Sequence, residues 1–402
     1  MDTFFNSTKP IKIRLTRDIT KHIKRGNPWV FADVLEKKIN STPGSYAILL
    51  SQKAEVLAHG FYCSKTNLAF RVVSLGDQKI HHQMISERIK RAIDNKKHLY
   101  TSRNNSLRLI NGEGDELPGV VCDIYARLAV LKLDGEAASN FWNPQAFAQF
   151  LTTQKDIPID MVYLKRKNSE EEKGEVLIGE AKGLEDHLFL ENGIKFKTNI
   201  IDAAKTGFFI DQRDNREFIR QVSKEKTLLN LFAYTGGFSV YAAMGGAKQV
   251  TSVDIAKAAI EASTVNWKLN ELPENTHEAI TEDAFKYVKS VINQKKTWDM
   301  VITDPPSFAP NQKSVDNAKK AYVDIYSDSI KLVKDGGFFV ASSCSGHISS
   351  ELFLELVQEA LSKARRRGKV LVIKGQPEDH PYPMALSEMR YLKFIYLQVF
   401  KD

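Results

Sequence analysis

Cysteine is scarce in this chain: three residues in 402, Cys63, Cys122 and Cys344, odd in number and far apart. They cannot form a disulfide framework or a tetrahedral zinc site, so no metal is expected. Any cysteine that matters acts as a thiol, in a reducing, cytoplasmic setting. Long apolar runs are also missing. None approaches the ~18 residues that a membrane span needs, so no membrane association is expected. The first residues, Met1-Asp2-Thr3-Phe4-Phe5, contain no basic region leading into an apolar segment, and no secretory signal is expected. Disorder is excluded by composition, with 43% hydrophobic and 26% charged residues. The length suggests two or three domains, because single cores stop growing at roughly 250–300 residues.

A surplus of positive charge is present, and it is unevenly placed. The formal net charge is +8. Residues 1–77 hold twelve Lys and Arg against six Asp and Glu, a local +6, which leaves +2 for the other 325 residues. A basic amino-terminal module attracts a phosphate backbone, although a Lys-rich solvated surface has the same arithmetic.

The order of elements separates three regions. Residues 1–77 carry short strand patterns at Ile11–Leu15, Tyr46–Leu50, Val56–Tyr62 and Ala69–Ser74, one helix over Asp18–Arg25 and an aromatic turn at Asn27–Phe31, which together suggest a small β-barrel. Residues 78–195 begin with an amphipathic helix marked by Ile85, Ile89 and Ile93. They continue as mixed α+β structure, with an exposed hairpin tip or loop over Lys165–Gly174. Residues 196–402 alternate strictly: strand Thr227–Phe232, a helix from Phe238, strand Gln249–Val253, helix Ala256–Leu269, strand Met300–Thr303, helix Asn317–Val333, strand Phe338–Ser343, helix Ser350–Ala364 and strand Lys369–Ile373. A last strand at Tyr391–Val399 has no helix after it and is expected to run antiparallel. Such alternation predicts an α/β fold with a mostly parallel sheet covered on both faces.

Four motifs fall at strand ends of this third region. Phe232-Ala233-Tyr234-Thr235-Gly236-Gly237 ends one strand and opens a helix, where glycine permits close backbone approach and free N–H groups await a ligand. Asp254 ends the next strand, eighteen residues after Gly236, where an acid can hold both ribose hydroxyls of an adenosine. Asp283-Ala284 follows the third strand; its carboxylate suits an adenine amino group, or equally a helix N-cap. Asp304-Pro305-Pro306-Ser307-Phe308 ends the fourth strand as a stiff loop with free carbonyls. In this order the motifs resemble the class I S-adenosylmethionine-dependent methyltransferases. Asp-Pro-Pro with an aromatic is also similar to the motif of enzymes that methylate exocyclic amines of bases.

Cys344, in Ser342-Ser343-Cys344-Ser345-Gly346-His347 just past the fifth strand, favours a different chemistry. Carbon 5 of cytosine is too weakly nucleophilic to take a methyl group until a thiolate adds to carbon 6. A cysteine at this edge can make that addition, and amine methylation needs none; a small buried thiol is the bland alternative. Cys63 and Cys122 sit in apolar strand patterns and read as core.

Nearly the whole chain resembles the RlmI-like large-subunit rRNA cytosine-5 methyltransferases. The match rests on the basic barrel with Gly26-Asn27-Pro28-Trp29-Val30-Phe31, on Gly112–Gly119, on Glu191-Asn192-Gly193, on Lys205-Thr206-Gly207-Phe208-Phe209-Ile210-Asp211-Gln212-Arg213-Asp214-Asn215-Arg216, and on Asp379-His380-Pro381 and Tyr391-Leu392-Lys393. The resemblance implies a PUA-like barrel, an α+β central domain and a Rossmann-like catalytic domain with a seven-stranded sheet. It implies S-adenosyl-L-methionine held by Phe232, Tyr234, Thr235, Gly236, Gly237, Asp254, Asp283, Ala284, Asp304 and Pro305, with Gln212 and Arg213 as further contacts. Cys344 would be the nucleophile, and Asp304 would steady the base edge. rRNA of the large subunit would be the partner, met by Arg14, Lys21, Lys24, Arg25 and Trp29. A homodimer is compatible with the family, though no residue pattern specifies it. Asn27 stands where the family often has His, and Ser387-Glu388 where it often has Pro-Glu. Two other readings stay open: an N-methyltransferase acting on adenine or guanine in rRNA, and a non-enzymatic RNA-binding assembly factor.

Overall fold

Short runs of β-branched and aromatic residues between turn signals do form strands in the amino-terminal region, and a computed structural model shows how they pair. It describes residues 3–6, 9–36, 39–166, 174–203, 205–309 and 311–401. The chain divides into two units. One comprises Met1–Gly193, Thr198–Ile210 and Glu378–Ser387; the other comprises Ile194–Lys197, Asp211–Pro377 and Glu388–Asp402.

The first unit holds two five-stranded sheets. In one, the strands run in the order Ile11–Arg14, Ser45–Leu50, Val56–Tyr62, Leu68–Leu75, Trp29–Phe31. The first pair is parallel and the others antiparallel. The aromatic stretch expected as a turn is half turn and half strand. Asn27 Oδ1 accepts the Trp29 N–H at 2.9 Å, and Trp29-Val30-Phe31 then pair with Arg71, Phe70 and Leu68. Three residues are too few to display a period of two, so the strand was hidden in the sequence. The expected helix is trimmed to Thr20–Lys24, with Asp18 accepting the Thr20 N–H. In the other sheet the order is Glu175–Ile178, Met161–Leu164, Leu128–Leu133, Val120–Tyr125, Ser106–Asn111. Helix His82–Lys96 buries Ile85, Ile89 and Ile93 in the same core as Cys122.

Lys165 corrects an expectation. It is buried, not part of an exposed tip, and its Nζ donates to Ile200 O at 2.6 Å and Ala203 O at 2.5 Å. The Lys-Arg-Lys run masks this in the sequence, because its partners lie 35 and 38 residues away. Arg166 is exposed; residues 167–173 of the expected tip lie outside the described residues.

The main segment of the second unit opens with helix α1 (Arg213–Val222). It continues as β1 (Thr227–Leu231), α2 (Gly237–Met244), β2 (Gln249–Asp254), α3 (Lys257–Leu269), β3 (His277–Thr281), α4 (Ala284–Asn293), β4 (Trp298–Thr303), α5 (Val315–Lys331), β5 (Val333–Ser343), α6 (Ser350–Lys363), β6 (Arg366–Lys374) and β7 (Lys393–Lys401). These seven strands form one sheet in the order β3-β2-β1-β4-β5-β7-β6. The first five are parallel, and β7 lies antiparallel between β5 and β6. Strand order reverses between β1 and β4, so a crevice opens at the carboxyl ends of these strands. The last strand starts at Lys393, two residues later than expected, because Tyr391 lies in the entering loop with its hydroxyl donated to Asp211 Oδ2 at 2.8 Å. Helix α5 starts two residues early, after a capping box of Asn311 and Ser314.

Candidate active site

Register aligns the ends of the central strands. Leu231 pairs with Val253 and with Thr303, Asp254 with Thr281, and Thr303 with Ala341. The four sequence motifs therefore sit at one edge of one sheet.

The turn after β1 is held in unusual backbone. Phe232 at φ +59°, Tyr234 at φ +46° and Gly236 at φ +79° all adopt the left-handed region. Strain of this kind persists only where the surroundings enforce it. Asp254 supplies part of that enforcement: its Oδ2 accepts the Tyr234 N–H, and its Oδ1 accepts the Ala256 N–H, both at 2.9 Å. Each carboxylate oxygen keeps a further acceptor site. At Gly236 a Cβ would lie 2.3 Å from Ser263 Oγ, so the position tolerates no side chain.

Beside it Thr235 is 7% exposed, and its carbonyl accepts from Asn266 Nδ2 at 3.0 Å. Among the described residues no group pairs with the buried Thr235 Oγ1 or Ser263 Oγ. Buried hydroxyls are normally satisfied. A strained glycine cradle, unpartnered hydroxyls and a partly exposed carboxylate together fit a small polar ligand such as an adenosyl group.

Asp283 caps α4, its Oδ1 accepting the Lys286 N–H at 3.0 Å, with Ala284 buried behind it. Half-buried Phe232, Phe285 and Phe308 surround this end of the sheet, with ring centroids 6.2–6.5 Å apart. The sequence reading named Phe232 and Phe308 within its motifs but did not group the three phenylalanines.

Asp304 is half-buried, and its Oδ2 accepts Gln212 Nε2 at 3.0 Å. The same Gln212 nitrogen donates to Ser342 Oγ at 2.9 Å, and Gln212 Oε1 accepts Asn215 Nδ2 at 2.6 Å. Gln212 thus ties the segment before α1 to the ends of β4 and β5. Arg213 is buried with its Nε on Asp214 Oδ1. Pro305 is buried, whereas Pro306 and Ser307 are exposed.

Cys344 follows β5 and is half-buried. The next residue organises its surroundings. Ser345 Oγ lies 3.0 Å from Ser307 Oγ and 2.8 Å from Tyr322 Oη, and Ser343 Oγ donates to Tyr322 Oη at 3.0 Å. One hydroxyl cluster therefore links the Asp304 loop, α5 and both neighbours of the cysteine. Burial raises the Tyr322 and Tyr326 hydroxyls, so both are neutral donors near neutral pH. Tyr326 gives its proton to Ser342 O at 2.6 Å. Lys393, unassigned in the sequence reading beyond its motif, is also in this cluster, with its Nζ on Ser345 O at 2.6 Å and Tyr391 O at 2.7 Å. Cys63 and Cys122 are buried in the first unit, and burial pushes the Cys122 thiol up.

Also in the first unit, Arg14, Lys21, Lys24 and Arg25 are exposed. Trp29 is half-buried, and its indole N–H is given to Glu113 Oε1 at 2.8 Å, so the ring alone can meet a partner.

Comparison with known proteins identifies the family. Residues 158–370 match the model of an S-adenosylmethionine-dependent methyltransferase family, and residues 13–75 that of a PUA-like domain. A ribosomal RNA large subunit methyltransferase of Deinococcus radiodurans is 31% identical, over 98% of each chain. Ribosomal RNA large subunit methyltransferase I of Alteromonas mediterranea is 32% identical, over 95% of this chain and 97% of its own. Among solved structures, a chain assigned as a methyltransferase and complexed with SAH superposes with a TM-score of 0.84 at 25% identity, covering 96% of this chain and 100% of that one. A Streptococcus mutans chain assigned as a SAM-dependent methyltransferase gives the same TM-score at 24% identity over the same coverage. Motifs, sheet order, PUA-like module and near full-length relatives agree, and the chain belongs to the ribosomal RNA large subunit methyltransferase I family of S-adenosylmethionine-dependent enzymes.

Proposed function

We propose that this protein methylates carbon 5 of a cytosine in large-subunit (23S) rRNA through a covalent adduct with Cys344. The observation that carries the reading is the place of Cys344: half-buried at the end of β5, with its neighbour Ser345 hydrogen-bonded to Ser307 of the Asp304 loop. The substrate class comes from the relatives, which are named as large-subunit rRNA methyltransferases.

On this reading the turn from Phe232 to Gly237, with Asp254, Asp283, Ala284, Asp304, Pro305, Gln212 and Arg213, holds S-adenosylmethionine. When bound, that group supplies an electrophilic methyl on a sulfonium centre. The Cys344 thiolate adds to carbon 6 of cytosine and makes carbon 5 nucleophilic. After methylation the carbon-5 proton leaves, the carbon–sulfur bond breaks and the thiolate is regenerated. Asp304, oriented by Gln212, steadies the base edge. The cytosine must leave its stack to reach the crevice. Arg14, Lys21, Lys24 and Arg25 hold flanking RNA through phosphates, with the Trp29 ring available for stacking.

RNA carrying 5-fluorocytidine tests this directly, because fluorine at carbon 5 cannot leave as a proton does and the adduct accumulates. Wild type should form a denaturant-stable complex, and Cys344→Ser should form none and lose methylation. If Cys344→Ala keeps near-normal turnover, the reading fails and an amine methylation centred on Asp304-Pro305-Pro306-Ser307-Phe308 replaces it.

A further inference from the structure

We propose that Lys393 is the positioning residue that holds the Cys344 sulfur as a thiolate; this rests on the covalent reading above. Sheet register brings the pair together. Lys393 opposes Ser343 across β5 and β7, and its Nζ donates to the Ser345 carbonyl at 2.6 Å. Lys393 thus meets both neighbours of the cysteine, Ser343 by backbone register and Ser345 through its ammonium.

Lys393 is 4% exposed. A buried ammonium needs acceptors and an opposite charge. Among the described residues its hydrogen-bond acceptors are the carbonyls of Ser345 and Tyr391, which use two of its three N–H groups. Burial draws its pKa down to about 8, and the charge of Cys344 acts to raise it. Such coupling is reciprocal: a thiolate that favours the ammonium is favoured by it to the same degree.

Other titratable groups around this cluster include Asp304 at the end of β4, Asp211 before α1, buried Arg213 at the start of α1, Tyr391 on the loop into β7, and Tyr322 and Tyr326 on α5. Both α5 tyrosines are held neutral by burial, and both feel the Cys344 charge as unfavourable to their own ionisation. Asp304 is engaged by Gln212 and Asp211 by Tyr391. Lys393 is the cation hydrogen-bonded to the residue that follows the cysteine. The proton balance is simple: the Sγ–H bond of Cys344 breaks, the Nζ lone pair of neutral Lys393 takes the proton, and a thiolate–ammonium pair remains. The bond to the Ser345 carbonyl holds the ammonium against the loop that carries the sulfur.

The test is the pH dependence of Cys344 alkylation by iodoacetamide in the full chain, read by mass spectrometry of the Cys344 peptide. In wild type the midpoint should lie at least one pH unit below the ordinary thiol value of about 8.5. Lys393→Met should raise the midpoint by a unit or more and slow alkylation at pH 7 about tenfold. Its adduct formation with 5-fluorocytidine RNA should recover as pH rises, which a merely structural defect would not do. A wild-type midpoint at or above 8.5, or the same midpoint in wild type and variant, overturns the proposal; the first measurement decides even if the variant does not fold. Methylation by Cys344→Ser is a separate failure, that of the covalent reading, and the alkylation midpoints still report the ion pair.

Discussion

Gly236 shows how one residue fixes the turn proposed to cradle the cofactor. Its φ of +79° costs an L side chain about 1–2 kcal/mol, and a Cβ there would sit 2.3 Å from Ser263 Oγ and 2.9 Å from Ser263 Cβ. Gly236→Ala should therefore destabilise the protein by about 1–3 kcal/mol in urea unfolding and weaken S-adenosylmethionine binding in calorimetry at least tenfold. Ser263→Ala should not rescue it, because the Cβ contact remains; full rescue would show that the clash, and not the backbone, sets the cradle. The Gly-Gly turn, Asp254 and Asp304 were legible as strand ends because each follows a short strand pattern in an alternating α/β order. Cys63 and Cys122 were legible as core from their apolar flanks, and both are buried. Lys393 was not. Its partner Ser345 is 48 residues away, and Tyr322 is 23 residues from the same serine. Nothing local in Tyr391-Leu392-Lys393 says which neighbour the lysine will find.

Elements were legible in proportion to their length and period. The Ile85, Ile89 and Ile93 stripe gave its helix, and the alternation after Thr227 gave a parallel sheet. What the chain could not display was the pairing of three residues at Trp29–Phe31, or the insertion of β7 between β5 and β6, which depends on long-range registry. A chain of buried polar groups shows the same limit. Asn230 donates to Ser239 on α2, Ser239 lies 2.7 Å from Ser252 on β2, and Ser252 lies 2.8 Å from His277 Nε2 on β3. His277 stacks on Trp267 with centroids 4.2 Å apart, and burial draws its pKa down to about 4. Its folded value is below the unfolded value of about 6.5. The unfolded chain therefore binds the proton first, and stability is complete above pH 6.5 and lost as pH falls towards 4. Allowing for the partial exposure of His277, the loss should be about 1–2 kcal/mol between pH 7 and pH 4.5. His277→Asn should remove that share of the pH dependence, measured as the difference between the two proteins in urea unfolding. Equal slopes would show that the carboxylates alone account for acid sensitivity.

For the whole molecule, charge and chemistry are assigned to different parts of the chain. Residues 1–77 carry +6 of the +8, while the strand-end motifs and Cys344 all lie beyond residue 227. RNA affinity should then be salt-sensitive through the first region and insensitive to changes at the cofactor turn. Each phosphate neutralised on a single strand contributes about 0.7 to the slope of log affinity against log salt. Arg14, Lys21, Lys24 and Arg25 are exposed, and three of them lie on or next to one short helix. Replacing all four by Gln should lower the slope by about 2–3 and weaken RNA binding most at low salt. S-adenosylmethionine affinity should be unchanged, because these side chains are surface charges of the first unit and the cofactor turn belongs to the second. Fluorescence anisotropy with an rRNA fragment at several salt concentrations measures the slope. An unchanged slope would move the RNA contact off this face and onto the charges of the catalytic unit, where Arg365, Arg366, Arg367, Lys369 and Lys374 line or adjoin β6.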